Sequence, residues 1–248
     1  MSFYQSKGIT KNYDNAPVVK DISLNLPQGG FISLLGPSGA GKTTLFNVLA
    51  GIDLPDDGKV FLDGEDITGI PGRVGYMPQK DLLLEHRTVL DNVILPLLIR
   101  GEKKKTARGK TAVFFPQFRL SGCEKKYPAQ LSGGMRQRAA LLRTCQTGSK
   151  TILLDEPFSA LDAITRAEMQ DWYREIAVSM GLSTFLITHD VEEALFLSDT
   201  VYILNGRPGR ITGVFEVLPP RPRGRDFVVS PEFAAQKREI LKAISNEE

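Results

Sequence analysis

The sequence predicts an α/β fold with a mostly parallel sheet, on three observations. Short, continuously apolar runs, Thr151-Ile152-Leu153-Leu154 and Ser183-Thr184-Phe185-Leu186-Ile187, read as strands covered on both faces. Between them, Thr165 to Met180 has helical spacing, with Met169, Trp172 and Ile176 on one stripe, so that strand, helix and strand imply a right-handed crossover. A third buried strand, Gly30-Phe31-Ile32-Ser33-Leu34-Leu35, runs directly into a glycine-rich loop.

The other elements follow from local chemistry. Lys59-Val60-Phe61-Leu62 reads as a strand, with Asp-Gly turns expected at 57–58 and 63–64. Thr88 to Arg100 has helical apolar spacing, and the polar, lysine-rich stretch from Gly101 to Lys110 follows, where a subdomain boundary is expected. Pro219-Pro220-Arg221-Pro222-Arg223 reads as an extended linker. Beyond it Ser230 is expected to cap a helix with Pro231 at its first position and Phe233, Lys237, Ile240, Leu241 and Ile244 on one face.

Composition sets bounds but does not choose a partner. The 248 residues suffice for one or two domains, and 42% hydrophobic with 24% charged residues is ordinary for a water-soluble globular protein. A formal charge of +2 gives no nucleic-acid footprint. The only cysteines, Cys123 and Cys145, have no metal or redox spacing, which fits a reducing, cytosolic setting. Met1 to Lys11 holds no signal-peptide core, and no apolar run approaches the roughly 18 to 20 residues that span a bilayer. Membrane contact is therefore expected through a partner.

Two motifs carry chemistry. Gly36-Pro37-Ser38-Gly39-Ala40-Gly41-Lys42-Thr43 matches G-x-x-x-x-G-K-[ST] directly after a strand, with Thr44 continuing into the helix. Glycines let the backbone curl so that amides point inward, and the helix start adds positive potential, so polyphosphate is the expected occupant. Lys42 is placed to reach the β- and γ-phosphates, and the Thr43 hydroxyl to ligate Mg²⁺. Leu153-Leu154-Asp155-Glu156-Pro157 puts two acids past the end of a buried strand. Asp155 is expected to hold the metal and Glu156 to act as general base on the attacking water; taken alone, the pair could also be an acidic turn capping a helix.

About twenty residues before Asp155, Leu131-Ser132-Gly133-Gly134-Met135 resembles the signature of the ATP-binding-cassette family, with Met135 where glutamine is usual. The resemblance spans roughly Tyr4 to Val217. It implies a P-loop NTPase (RecA-like) core, an N-terminal antiparallel β part and an α-helical subdomain, about 86–148, inserted in a single nucleotide-binding domain of residues 1–218, with linker and helix at 219–248. It further implies an ATPase with ATP and Mg²⁺ as cofactors, two copies sharing two ATP molecules, with Ser132, Gly133 and Gly134 closing on nucleotide held by the partner's loop. Gln79, in Tyr76-Met77-Pro78-Gln79, matches the glutamine that touches magnesium. His189, in Ile187-Thr188-His189-Asp190, matches the γ-phosphate switch histidine; His86 reads as plain surface. Tyr13 matches the adenine-stacking aromatic, or is an ordinary strand tyrosine. Asp162, in Ser159-Ala160-Leu161-Asp162, matches the loop across the dimer seam, or is a helix cap.

One cassette without a membrane domain or coiled-coil insertion, with about ninety residues between Gly41 and Leu131, resembles bacterial importer subunits. The implied partners are a transmembrane permease, a second copy of the chain and an external solute-binding protein, with no nucleic acid; the implied location is cytoplasmic, peripheral on the inner membrane face. The alternative is a non-transport cassette ATPase working on nucleic acid or protein assemblies. Thr88-Val89-Leu90-Asp91-Asn92-Val93, Lys126-Tyr127-Pro128-Ala129-Gln130 and Gly206-Arg207-Pro208-Gly209-Arg210-Ile211 are similar to subunits that import nitrate, sulfonate, taurine or thiamine-pyrimidine precursors, although Glu85 and His86 depart from that pattern. Residues Gln79 to Arg100 are expected to form the groove for a permease helix. Leu82, Leu83 and Leu84 are then either its exposed patch or core. The basic run Arg100, Lys103, Lys104, Lys105, Arg108 and Lys110 reads as a solvated helix and loop, or as a contact to lipid headgroups.

Overall fold

The computed structural model describes residues 4–14 and 16–245; the parts of the terminal readings that fall on residues 1–3 and 246–248 lie outside them. In chain order the elements are β1 (Tyr4–Tyr13), β2 (Ala16–Leu26), β3 (Phe31–Leu35), α1 (Lys42–Leu49), β4 (Asp57–Leu62), β5 (Glu65–Asp66), β6 (Gly75–Met77), α2 (Val89–Val93), α3 (Leu95–Ile99), α4 (Lys104–Ala112), α5 (Gly133–Cys145), β7 (Thr151–Asp155), α6 (Ala163–Met180), β8 (Ser183–Thr188), α7 (Val191–Leu197), β9 (Thr200–Asn205), β10 (Arg210–Glu216) and α8 (Pro231–Ser245). They fall into two compact units, Met1–Arg73 with Gly181–Glu248, and Val74–Met180.

In the first unit, β2, β1, β4 and β5 form an antiparallel sheet. The strand β3 is buried along its whole length and lies parallel to both β8 and β9, while β10 runs antiparallel to β9. This answers the mainly apolar run of β3, since a strand covered on both faces has no side to turn toward water. Under the sheet edge, Leu35, Leu195, Ile203, Phe233 and Ile240 share one core cluster.

Three expectations fail here. The Asp57-Gly58 pair is not a turn but the start of β4, at a register irregularity opposite Lys7 and Thr10 of β1. Gly58 is needed because its φ is +89° and a Cβ there would lie 2.5 Å from the Gly8 carbonyl. Asp63-Gly64 is the turn expected, with φ of +52° and +84°. Residues 219–223 are also no free linker. Arg223 is only 2% exposed and donates to the carbonyls of Pro219, Ser198, Val217 and Leu195, so it satisfies the open end of α7. The Ser230 hydroxyl does cap α8, accepting from the Phe233 amide, and Phe233 and Ile240 are buried as expected. Leu241, expected on that face, is exposed.

The second unit contains the parallel pair β6 and β7 and the helical segments. Met169, Trp172 and Ile176 of α6 are buried as their spacing predicts, with Trp172 edge-on to Phe118. Helical spacing over 88–100 resolves into two short helices, because Pro96 at the start of α3 has no amide to continue α2. Three of the six residues of the basic run are ion-paired: Lys104 and Arg108 meet Asp91, and Lys110 meets Glu102. That is the solvated-helix reading of this run. Among the described residues no helix is long and apolar enough to cross a membrane.

Arg223→Met should destabilise the first unit by about 2–4 kcal/mol, since the carbonyls at the end of α7 lose their donor inside the protein. Equilibrium urea denaturation measures this, and an unchanged midpoint would show that the segment does not hold α7.

Candidate functional site

The phosphate loop joins the buried β3 to α1 within the first unit, and its curl is built from backbone contacts. At Gly36 a Cβ would stand 2.2 Å from the Leu204 carbonyl oxygen of β9. Gly41 precedes α1 with φ +92°, a left-handed geometry where a Cβ would also meet Val19 at 2.6 Å. The Lys42 side chain is buried and folds back to donate to the carbonyls of Gly36 (2.7 Å) and Pro37 (2.9 Å). Pro37, Ser38, Gly39 and Thr43 are exposed, Ala40 is buried and Thr44 is half-buried in the first turn of α1. The site is thus a ring of backbone around a buried ammonium, suited to an anion.

The two acids stand in the second unit. Asp155 ends β7 and is 4% exposed, and Glu156 follows with φ +46°. A left-handed backbone costs a non-glycine residue about 1–2 kcal/mol, so Glu156 is held there by its surroundings. The Gln79 amide, two residues past β6, donates to Glu156 Oε2 at 3.2 Å. The sequence reading missed Tyr76. Burial, and after it the charge of Asp155 and a hydrogen bond to its carboxylate, push the Tyr76 phenol up from its ordinary value. No local sequence signal points to it, because only the parallel pairing of β6 with β7 places Tyr76 opposite Leu153, two positions short of Asp155.

Ser132 is exposed and caps α5, accepting from the Met135 amide at 3.3 Å; Gly133 and Gly134 are the helix's first two residues. Asp162 is an exposed helix cap, accepting from the Thr165 amide at 3.0 Å; a hydrogen bond from the Thr165 side chain, and after it that amide, holds its carboxyl below the usual range. His189 is exposed just past β8, followed by Asp190, which caps α7 through the amides of Glu192 and Glu193. Tyr13 is 46% exposed at the end of β1; its hydroxyl donates to Asp53 at 2.7 Å, which chiefly raises its pKa, and the Lys11 ammonium lies 5.1 Å from the ring centroid. Of the three leucines in the expected groove, Leu82 and Leu84 are exposed but Leu83 is buried, which corrects the three-residue patch. Arg143 grips this loop through the carbonyls of Asp81 and Leu82. His86 is exposed, as expected.

Among the described residues no group of three or more His, Cys, Asp or Glu side chains could hold a metal ion unaided. The donors expected for magnesium are single oxygens, the Thr43 hydroxyl in one unit and Gln79 and Asp155 in the other. Each is a hard oxygen donor of the kind Mg²⁺ takes beside phosphate and water.

A family model described as ABC transporter matches residues 19–159, more than half of the chain. The chain belongs to the ABC transporter family. As a member it is an ATPase with ATP and Mg²⁺ as cofactors and has the α/β fold of P-loop NTPases. It is 39% identical to the formylaminopyrimidine import ATP-binding protein of Halalkalibacterium halodurans, over 93% of this chain and 89% of that one. With the sulfate/thiosulfate import ATP-binding protein of Neisseria meningitidis it shares 40% identity over 87% of this chain but only 62% of the relative. A dimeric, post-hydrolysis ATP-binding cassette bound to ADP and Pi superposes with a TM-score of 0.75 at 27% identity, covering 89% of this chain and 99% of that one. Another transporter cassette, at TM-score 0.80 and 22% identity over 97% of this chain and 99% of that one, shows the same fold.

In this ABC cassette, Gly36→Ala should cost about 1–3 kcal/mol by overpacking, because the atom it strikes is backbone that no rotamer change can clear. Thermal melts should show the loss and calorimetry the accompanying loss of nucleotide affinity; a variant that melts and binds like its parent would refute the packing account.

Proposed function

We propose that this chain is the ATP-hydrolysing motor of a membrane importer, closing as a homodimer on two molecules of Mg-ATP. The observation that carries the reading is Glu156: an acid kept in a left-handed backbone at the end of a buried strand, with the Gln79 amide on its carboxylate. Non-glycine residues persist in that conformation where function or packing over-determines them. The relatives named as import ATP-binding proteins and the dimeric cassette support the transport and dimer parts.

Placement supports the following roles. Gly36, Pro37, Ser38, Gly39, Ala40, Gly41 and Thr44 turn backbone toward the phosphates, and Lys42 supplies the cation. Bound Mg²⁺ neutralises charge on the phosphate oxygens, and Thr43, Gln79 and Asp155 are the residues that would hold it. Glu156 takes the proton of the attacking water, and Gln79 orients its carboxylate. His189 contacts the terminal phosphate from the end of β8. Tyr13, fixed by Asp53, offers its exposed ring to adenine. Ser132, Gly133 and Gly134 present a capped helix start to the partner copy's nucleotide, beside Asp162. Closure is driven by the tighter binding of ATP to the closed dimer than to the open one.

Partners are a transmembrane permease and, in the same system, an external solute-binding protein, with the chain peripheral on the inner face of the membrane. The loop that Arg143 pins presents Leu82 and Leu84 for the permease helix. The solute class is a small molecule such as nitrate, sulfonate, taurine or a pyrimidine precursor of thiamine; the formylaminopyrimidine and sulfate relatives both fall near it. The organisation into a nucleotide-binding domain of residues 1–218 with a helical subdomain near 86–148 belongs to the same proposal.

Glu156→Gln should retain ATP affinity, lower turnover by about 10²-fold or more, and accumulate an ATP-bound dimer visible by light scattering. Hydrolysis at the parental rate removes the base assignment. Lys42→Ala should abolish ATP binding in calorimetry, and Ser132→Arg should spare monomer binding while preventing dimer closure. From membranes, the tagged chain should co-purify with a multi-span permease. DNA-stimulated turnover without a membrane partner would favour the non-transport reading instead.

A further inference from the structure

The Gly206-Arg207-Pro208-Gly209 turn joins β9 to β10, and none of the roles above uses it. It is fastened on three sides within the first unit. The Gly209 amide donates to the Val18 carbonyl at 2.9 Å and the Gly209 carbonyl accepts from Lys20 at 3.0 Å, locking the turn to β2. The Asn205 side chain accepts from the Gly206 amide at 2.8 Å and closes the turn. Gly209 also packs on the phosphate loop itself, since a Cβ there would lie 2.2 Å from the Ala40 carbonyl oxygen. A turn held this firmly fixes where its one cation stands. Arg207 Nη2 lies 3.7 Å from the position a Gly39 Cβ would occupy, against the exposed rim of the loop. Arg207 is exposed and, among the described residues, pairs with no acid. Its neighbours differ, for Arg221 is spent on Asp199 and Arg223 is buried against carbonyls.

We propose that Arg207 is a second phosphate-binding cation of this site, reaching from the β9–β10 turn over Gly39 to the polyphosphate that Lys42 holds from within. The inference rests on the phosphate-loop reading above and extends it. The charge balance favours it, because a nucleoside triphosphate with one magnesium keeps net negative charge that a single buried ammonium does not neutralise. A guanidinium presents several donors in a planar fork suited to phosphate oxygens. Arg207 touches ligand only, takes no proton and is a binding residue.

The test is calorimetry on the purified full chain with Mg²⁺ and either adenylyl-imidodiphosphate, ADP or AMP. Arg207→Gln should weaken the triphosphate analogue about tenfold at low salt, ADP less and AMP least. The deficit should shrink toward parity near about 1 M KCl, because an exposed charge is screened. Arg207→Lys should recover part of the loss, and the thermal midpoint without nucleotide should match the parent. Triphosphate affinity of Arg207→Gln within about twofold of the parent overturns the proposal. So does an equal deficit for AMP and triphosphate, which would mean a damaged loop. Lys42→Ala separates the two layers of argument. If it abolishes binding while Arg207→Gln does not weaken it, only the role of Arg207 falls; if the parent chain itself binds no nucleotide, the phosphate-loop reading falls and takes this one with it.

Discussion

The approach of backbone to backbone around residues 36–41 is the constraint on which the rest of the molecule depends. Gly36 rests on the Leu204 carbonyl, Gly209 rests on the Ala40 carbonyl, and Gly41 turns left-handed beside Val18 and Val19. Contacts this short leave no room for side chains, so β9, its following turn and β2 together set the curvature of the loop. The buried ammonium of Lys42 completes it by bridging the carbonyls of Gly36 and Pro37. Because the amides are set by a rigid scaffold, the site meets an anion without reorganising, which is what makes such dipoles effective.

The second unit uses strain where the first uses close packing. Five buried residues of β7 deliver Asp155 and then Glu156, whose backbone takes a conformation that few residues other than glycine adopt. Gln79 and Tyr76 come from one short segment at β6, and one acid receives each: Glu156 the amide, Asp155 the phenol. Adjacent carboxylates thereby acquire different surroundings, Asp155 buried against the phenol and Glu156 half-buried beside the amide.

The far end of the chain reinforces the neighbourhood of His189. That histidine leads into Asp190 and α7, whose end is closed by the buried Arg223. Lys237 of α8 pairs with Glu192, and Phe233 and Ile240 share a core cluster with Leu195. A segment whose prolines and arginines looked like a spacer therefore belongs to the fold. Arginine misleads in this respect, since its charge suggests water while its five donors can satisfy the carbonyls of a buried helix end.

The sequence by itself determined the strands that carry the site, because a short, mainly apolar run such as 31–35 or 151–154 is at home in a sheet interior. It also determined the phosphate loop, the acids after β7 and the cap Ser230, since each depends on residues within a few positions of one another. Tertiary structure alone decided that Tyr76 serves Asp155, that Leu83 turns inward while Leu82 and Leu84 do not, that Asp57-Gly58 opens a strand, and that the turn at 206–209 lies against the loop at 39–40. These are contacts between segments up to about 170 residues apart in the chain. Local propensity carries no information about them; they are settled when β6 comes to lie beside β7, β4 beside β1, and the turn after β9 against β2 and the phosphate loop.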